Sequence, residues 1–94
     1  MRLSEIQKKA LFSAIENIES EVYLFGSRAD DTKKGGDVDI LIFSEDNPLE
    51  LSLEVERKYQ MICEEKIDVV VMDKNNLNKQ QKAFLNTINK IQLK

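Results

Sequence analysis

Histidine is absent from the 94 residues. That excludes histidine-based catalytic triads and histidine metal sites, and it leaves carboxylates as the obvious ligands for a hard metal ion. Cysteine occurs once, as Cys63, so no internal disulfide can form and a reducing, cytoplasmic setting is the simplest expectation. Apolar runs are short. None approaches the roughly 20 residues of a membrane span, and the opening "MRLSEIQKK" lacks the apolar stretch of a secretory leader. Nor is positive charge in excess: a net charge of −3 gives no general attraction to a polyphosphate backbone, so direct nucleic-acid binding is not expected. With 41% hydrophobic and 33% charged residues, the chain can build one modest core but not a second, so residues 1–94 read as a single domain.

Glycine is scarce too, and all three glycines fall within "YLFGSRADDTKKGGDVDILIF", Tyr23 to Phe43. Around that stretch the pattern alternates between helix and strand. Ser4 and Gln7 form a capping box, and Ile6, Leu11, Ala14, Ile15 and Ile18 follow helical spacing, predicting a helix from Ser4 to Ile18. "EVYLF" (Glu21–Phe25) reads as a strand ended by Gly26, "SRADD" opens a short helix, and "TKKGG" is a polar loop. "DVDILIF" (Asp37–Phe43) is the strongest strand.

Asp46, Asn47 and Pro48 signal the start of a second long helix, with Leu49, Leu53, Val55, Tyr59 and Ile62 on its apolar side. "KIDVVVMD" (Lys66–Asp73) is almost continuously apolar, which predicts a central strand covered on both faces. A last helix follows "KNNLNKQ", with apolar positions Leu77, Phe84, Leu85, Ile88 and Ile91. Leu77, Phe84 and Ile88 together promise more apolar surface than one small core needs, hence a face for a partner. The expected architecture is α/β or α+β, a small mixed sheet flanked by helices.

Two aspartates inside the best strand need a reason, since carboxylates resist burial and weaken strands. Strand side chains alternate, so Asp37 and Asp39 share one face while Val38, Ile40 and Ile42 take the other. Side by side they repel unless a cation lies between them, and Mg2+ is commonly held by one or two carboxylates plus substrate phosphates. Asp68, near the start of the third strand, completes a three-carboxylate cluster if that strand neighbours the second. Such a cluster suits a two-metal phosphoryl or nucleotidyl transfer. Gly26 lets the backbone turn sharply and approach a phosphate closely, Ser27 adds a hydroxyl donor, and Arg28 can brace phosphates or pin a carboxylate.

"GSRADDTKKGGDVDILI" resembles the signature of the polymerase β-like nucleotidyltransferase superfamily: Gly-Ser, a loop, then Asp-x-Asp on a strand. The "FGSRA" form and the later "IDVVV" are similar to the minimal nucleotidyltransferases, encoded beside HEPN-domain proteins in prokaryotic toxin–antitoxin pairs. The likeness runs from about Ser4 to Ile91, with a loop between Ser27 and Asp37 slightly shorter than in many relatives. It implies a nucleotidyltransferase fold, a phosphate-binding turn at Gly26 and Ser27, metal ligands at Asp37 and Asp39, and a third carboxylate at Asp68. It further implies transfer of AMP from Mg-ATP to a tyrosine hydroxyl of a HEPN ribonuclease toxin, in a hetero-oligomer with that toxin. Two alternatives stay open: an antitoxin that silences its partner by binding alone, and a transferase acting on a small molecule such as an antibiotic. Singly, the remaining residues read blandly: Cys63 as a packed thiol, Lys33 and Lys34 as a solvated loop, Tyr23 and Tyr59 as packing.

Overall fold

Ser4 starts the first helix as its sequence promised. Its hydroxyl accepts from the Gln7 N–H at 3.2 Å, and the Gln7 side chain accepts from the Ser4 N–H at 2.9 Å. In the computed structural model, which describes residues 1–32 and 36–94, this helix (α1) spans Glu5–Ile15. It stops short of Ile18, and the Lys94 ammonium satisfies its terminal carbonyls, donating to Ile15 O at 2.9 Å and Glu16 O at 2.8 Å. The expectation for Lys33 and Lys34 lies outside the described residues.

Strand β1 (Val22–Phe25) runs into a 3-10 turn, Gly26–Arg28, and β2 spans Val38–Phe43. Helix α2 (Pro48–Gln60) begins with proline in its first turn and the Asn47 side chain accepting from the Glu50 N–H at 3.0 Å. It leads to β3 (Ile67–Met72), then to α3 (Lys79–Thr87), capped by an Asn78–Gln81 box, and to β4 (Lys90–Gln92). The sheet order is β3-β2-β1-β4. β1 is antiparallel to β2 and β4, whereas β2 and β3 are parallel, as the α2 crossover between them requires. This is a small mixed α+β sheet with helices on both faces.

Alternation divides the strands between two cores. Val22, Leu24, Val38, Ile40, Ile42 and Ile67 face α1 and α2, where Leu11, Ile15, Val55 and Tyr59 are sealed from solvent. Phe25, Leu41 and Met72 face α3, where Phe84 meets Phe25 edge-on at 5.5 Å between ring centroids. Cys63 is buried in the first core. Among the described residues, no helix is long and apolar enough to cross a membrane.

Three expectations need correction. β3 is an edge strand rather than a central one, and its apolar run is explained by having helices over both faces. The last helix ends at Thr87 instead of running through Ile91. The chain turns extended at Ile88, and Ile91 pairs with Leu24 in β4. Helix α2 buries the Leu51, Val55 and Tyr59 stripe and leaves Leu49 and Leu53 exposed. Leu77, Phe84 and Ile88 pack against the second core while staying partly exposed.

Candidate active site

The β2–β3 register decides where the carboxylates meet. Val38 pairs with Ile67 and Asp39 with Asp68, so two aspartates lie directly across from each other on parallel strands. Both point to the α3 side of the sheet, since their neighbours Val38, Ile40 and Ile67 fill the other core. On its opposite flank Asp39 pairs with Phe25, the residue before the Gly26 turn. The end of β1 and the starts of β2 and β3 therefore converge at one end of the sheet.

Asp39 is the electrostatic centre of this cluster. Burial first, then the negative charges of Asp68 and Asp37, push its carboxyl from the ordinary 3.8 up to about 6, with Lys66 partly offsetting them. Asp37, just ahead of β2, and Asp68 are more exposed. The Lys66 ammonium lies between them, 3.9 Å from Asp37 Oδ2 and 3.6 Å from Asp68 Oδ1. The register places it there: continued one residue back from the Val38–Ile67 pair, it sets Lys66 beside Asp37.

The turn is fitted to the carboxylates by two glycines with left-handed backbones. At Gly26 (φ +76°), a Cβ would stand 2.8 Å from Asp39 Oδ2. At Gly36 (φ +87°), a Cβ would overlap the Ser27 hydroxyl oxygen. Glycine thus serves both conformation and contact at each position. Gly26 lets the turn close onto Asp39, and Gly36 leaves room for the Ser27 hydroxyl beside the Asp-x-Asp strand. Arg28 is directed to backbone rather than to a carboxylate: Nε donates to Gly36 O at 3.0 Å and Nη1 to Arg2 O at 3.1 Å.

The sequence-derived residues Gly26, Ser27, Asp37, Asp39 and Asp68 are thus neighbours, and three further residues join them. Lys66 was legible, standing two residues before Asp68 on the same strand face. Gly36 was legible as the glycine abutting Asp37. Arg2 carried no sequence signal.

Among the described residues, no group of three or more Asp, Glu or Cys side chains is arranged to hold a metal ion as it stands. The donor set nonetheless fits Mg2+, being all oxygen and carrying a like-charge strain that a divalent cation relieves. A concavity of about 310 Å³ opens beside the cluster, lined by Arg28, Gly36, Asp37 and Lys66 with Gln7 and Glu65. A wider cleft of about 670 Å³ lies at the far end of the sheet, around Phe43, Ser44 and Asp73. Of the three aspartates only Asp37 lines the smaller one, and Asp39 and Asp68 line neither.

The family model described as polymerase beta, nucleotidyltransferase, matches residues 7–90. Comparison with curated proteins finds no match.

Proposed function

The chain belongs to the polymerase beta nucleotidyltransferase family, and on that premise we propose that it is an antitoxin that transfers AMP from Mg-ATP to a tyrosine hydroxyl of a HEPN ribonuclease toxin. The observation that carries the transferase part is the Asp39–Asp68 pair, held in register beside a Gly-Ser turn that closes onto Asp39. The likeness of "FGSRA" and "IDVVV" to minimal nucleotidyltransferases supports the protein acceptor.

In this reading the acceptor hydroxyl gives up its proton to solvent as its oxygen bonds to the α-phosphorus, the bond from that phosphorus to the α–β bridging oxygen breaks, and pyrophosphate leaves with its electron pair. Asp37, Asp39 and Asp68 would hold the magnesium, which when bound supplies charge neutralisation on the triphosphate and acidifies the acceptor hydroxyl. Gly26 gives the phosphates access to backbone, and the Ser27 hydroxyl donates to them. Lys66, paired with two of the carboxylates, balances their charge in the metal-free protein.

Incubation with α-labelled ATP, Mg2+ and the product of the adjacent gene tests the proposal. Label on a tyrosine of that protein is the expected result. Inhibition of the toxin without any mass increase, equal for wild type and aspartate variants, would establish silencing by binding alone. Label passing only to a small-molecule acceptor would establish the third reading.

A further inference from the structure

Arg2 lies outside every motif, yet it hydrogen-bonds to the backbone of the segment that carries the Gly26–Ser27 turn. Its Nη2 donates to Ser27 O at 2.9 Å and its Nε to Asp30 O at 3.1 Å. Its backbone N–H donates to Arg28 O at 2.9 Å, and its own carbonyl accepts from Arg28 Nη1 at 3.1 Å. Arg28 in turn donates from Nε to Gly36 O at 3.0 Å, one residue before Asp37.

We infer that Arg2 is a positioning residue for the Gly26–Ser27 turn. Three carbonyls of the turn and the residues just after it, those of Ser27, Arg28 and Asp30, are held by one residue of a different segment. A planar guanidinium is suited to this because it presents several donors in a fixed fork, and it serves two of the three carbonyls here. The Arg28 link then passes the constraint across to Gly36 and so to the aspartate strand. Two arginines therefore set the spacing between the Ser27 hydroxyl and the carboxylates, while Gly26 and Gly36 permit it. Within the turn, Ala29 N–H donates to Gly26 O at 3.1 Å and Asp30 N–H to Ser27 O at 3.3 Å, the second being long, and Arg2 adds its donors to these.

The consequence for nucleotide binding rests on the nucleotidyltransferase reading; the brace itself does not, and the test separates them. Hydrogen–deuterium exchange of the nucleotide-free protein should show residues 26–31 exchanging about tenfold faster or more in Arg2→Ala, with α2 and β3 unchanged. By calorimetry, Mg-ATP affinity should fall by about fivefold or more while Mn2+ affinity in the absence of nucleotide stays at the wild-type value, because Asp37, Asp39 and Asp68 are untouched. Arg2→Lys keeps the charge but not the fork, and should recover only part of both effects.

Unchanged exchange at the turn overturns the inference. So does faster exchange spread evenly over the whole chain, which marks a general loss of stability, and so does full recovery in Arg2→Lys, which would mean that charge alone suffices. A wild-type protein that binds no Mg-ATP would sink the nucleotidyltransferase reading, and exchange at the turn would then decide the brace.

Discussion

Asp39 and Asp68 face each other in register across two parallel strands, and burial together with this neighbour lifts the Asp39 carboxyl to about 6. A fold does not gain stability from such a pair. Removing one charge should therefore strengthen the protein while ending its chemistry.

The sign of that effect fixes a pH dependence. Between 3.8 and about 6 the folded state keeps a proton on Asp39 that the unfolded chain has lost, so this residue's contribution to stability falls as pH rises through that window. Asp39→Asn abolishes the fall. Its melting temperature should match wild type near pH 4 and exceed it by pH 7, by an increment worth about 1–2 kcal/mol after solvent screening is allowed for. A difference that does not vary with pH would remove the basis for a strained pair.

Gly36 and Ser27 should behave as a coupled pair. Gly36→Ala meets both an unfavourable positive φ and the Ser27 hydroxyl, so it should destabilise by about 2 kcal/mol or more. Deleting that hydroxyl in Gly36→Ala/Ser27→Ala should return part of the loss, giving a coupling of about 1 kcal/mol in a denaturant-based double-mutant cycle. Additive losses would mean that the two residues do not touch in solution.

Lys66 competes with any divalent ion for Asp37 and Asp68. Lys66→Met should therefore bind Mn2+ about threefold to tenfold more tightly than wild type in nucleotide-free calorimetry, with the gain shrinking at high ionic strength. Weaker binding in the variant would show that Lys66 supports the metal site instead of opposing it.

Much of this site was readable from alternation alone. Asp37 and Asp39 had to share a face, and Val38, Ile40 and Ile42 on the other face marked which side was core. That Asp68 would stand opposite Asp39 depended on β3 pairing with β2, which the pattern around Asp68 made conditional and the register supplies.

What the sequence hid has physical causes. Ile88 and Ile91 are spaced for a helix, but Ile91 and Leu93 also alternate as a strand, and pairing with β1 selected the second option. In α2, Leu49 and Leu53 looked like core because helical spacing admits more than one apolar stripe. The sheet accepted the stripe of Leu51, Val55 and Tyr59. Arg2 was invisible because its role is a set of backbone carbonyls, which carry no side-chain signature.

The central claim is that the Asp39–Asp68 pair and the Gly26–Ser27 turn act together on a magnesium nucleotide. Calorimetric titration of ATP, with and without Mg2+, into wild type and Asp39→Asn/Asp68→Asn tests it most directly. Wild type should bind only with Mg2+ present, and the double variant, though folded and at least as heat-stable, should bind at least about tenfold more weakly. Equal affinity in the two proteins, or wild-type binding indifferent to Mg2+, would contradict it.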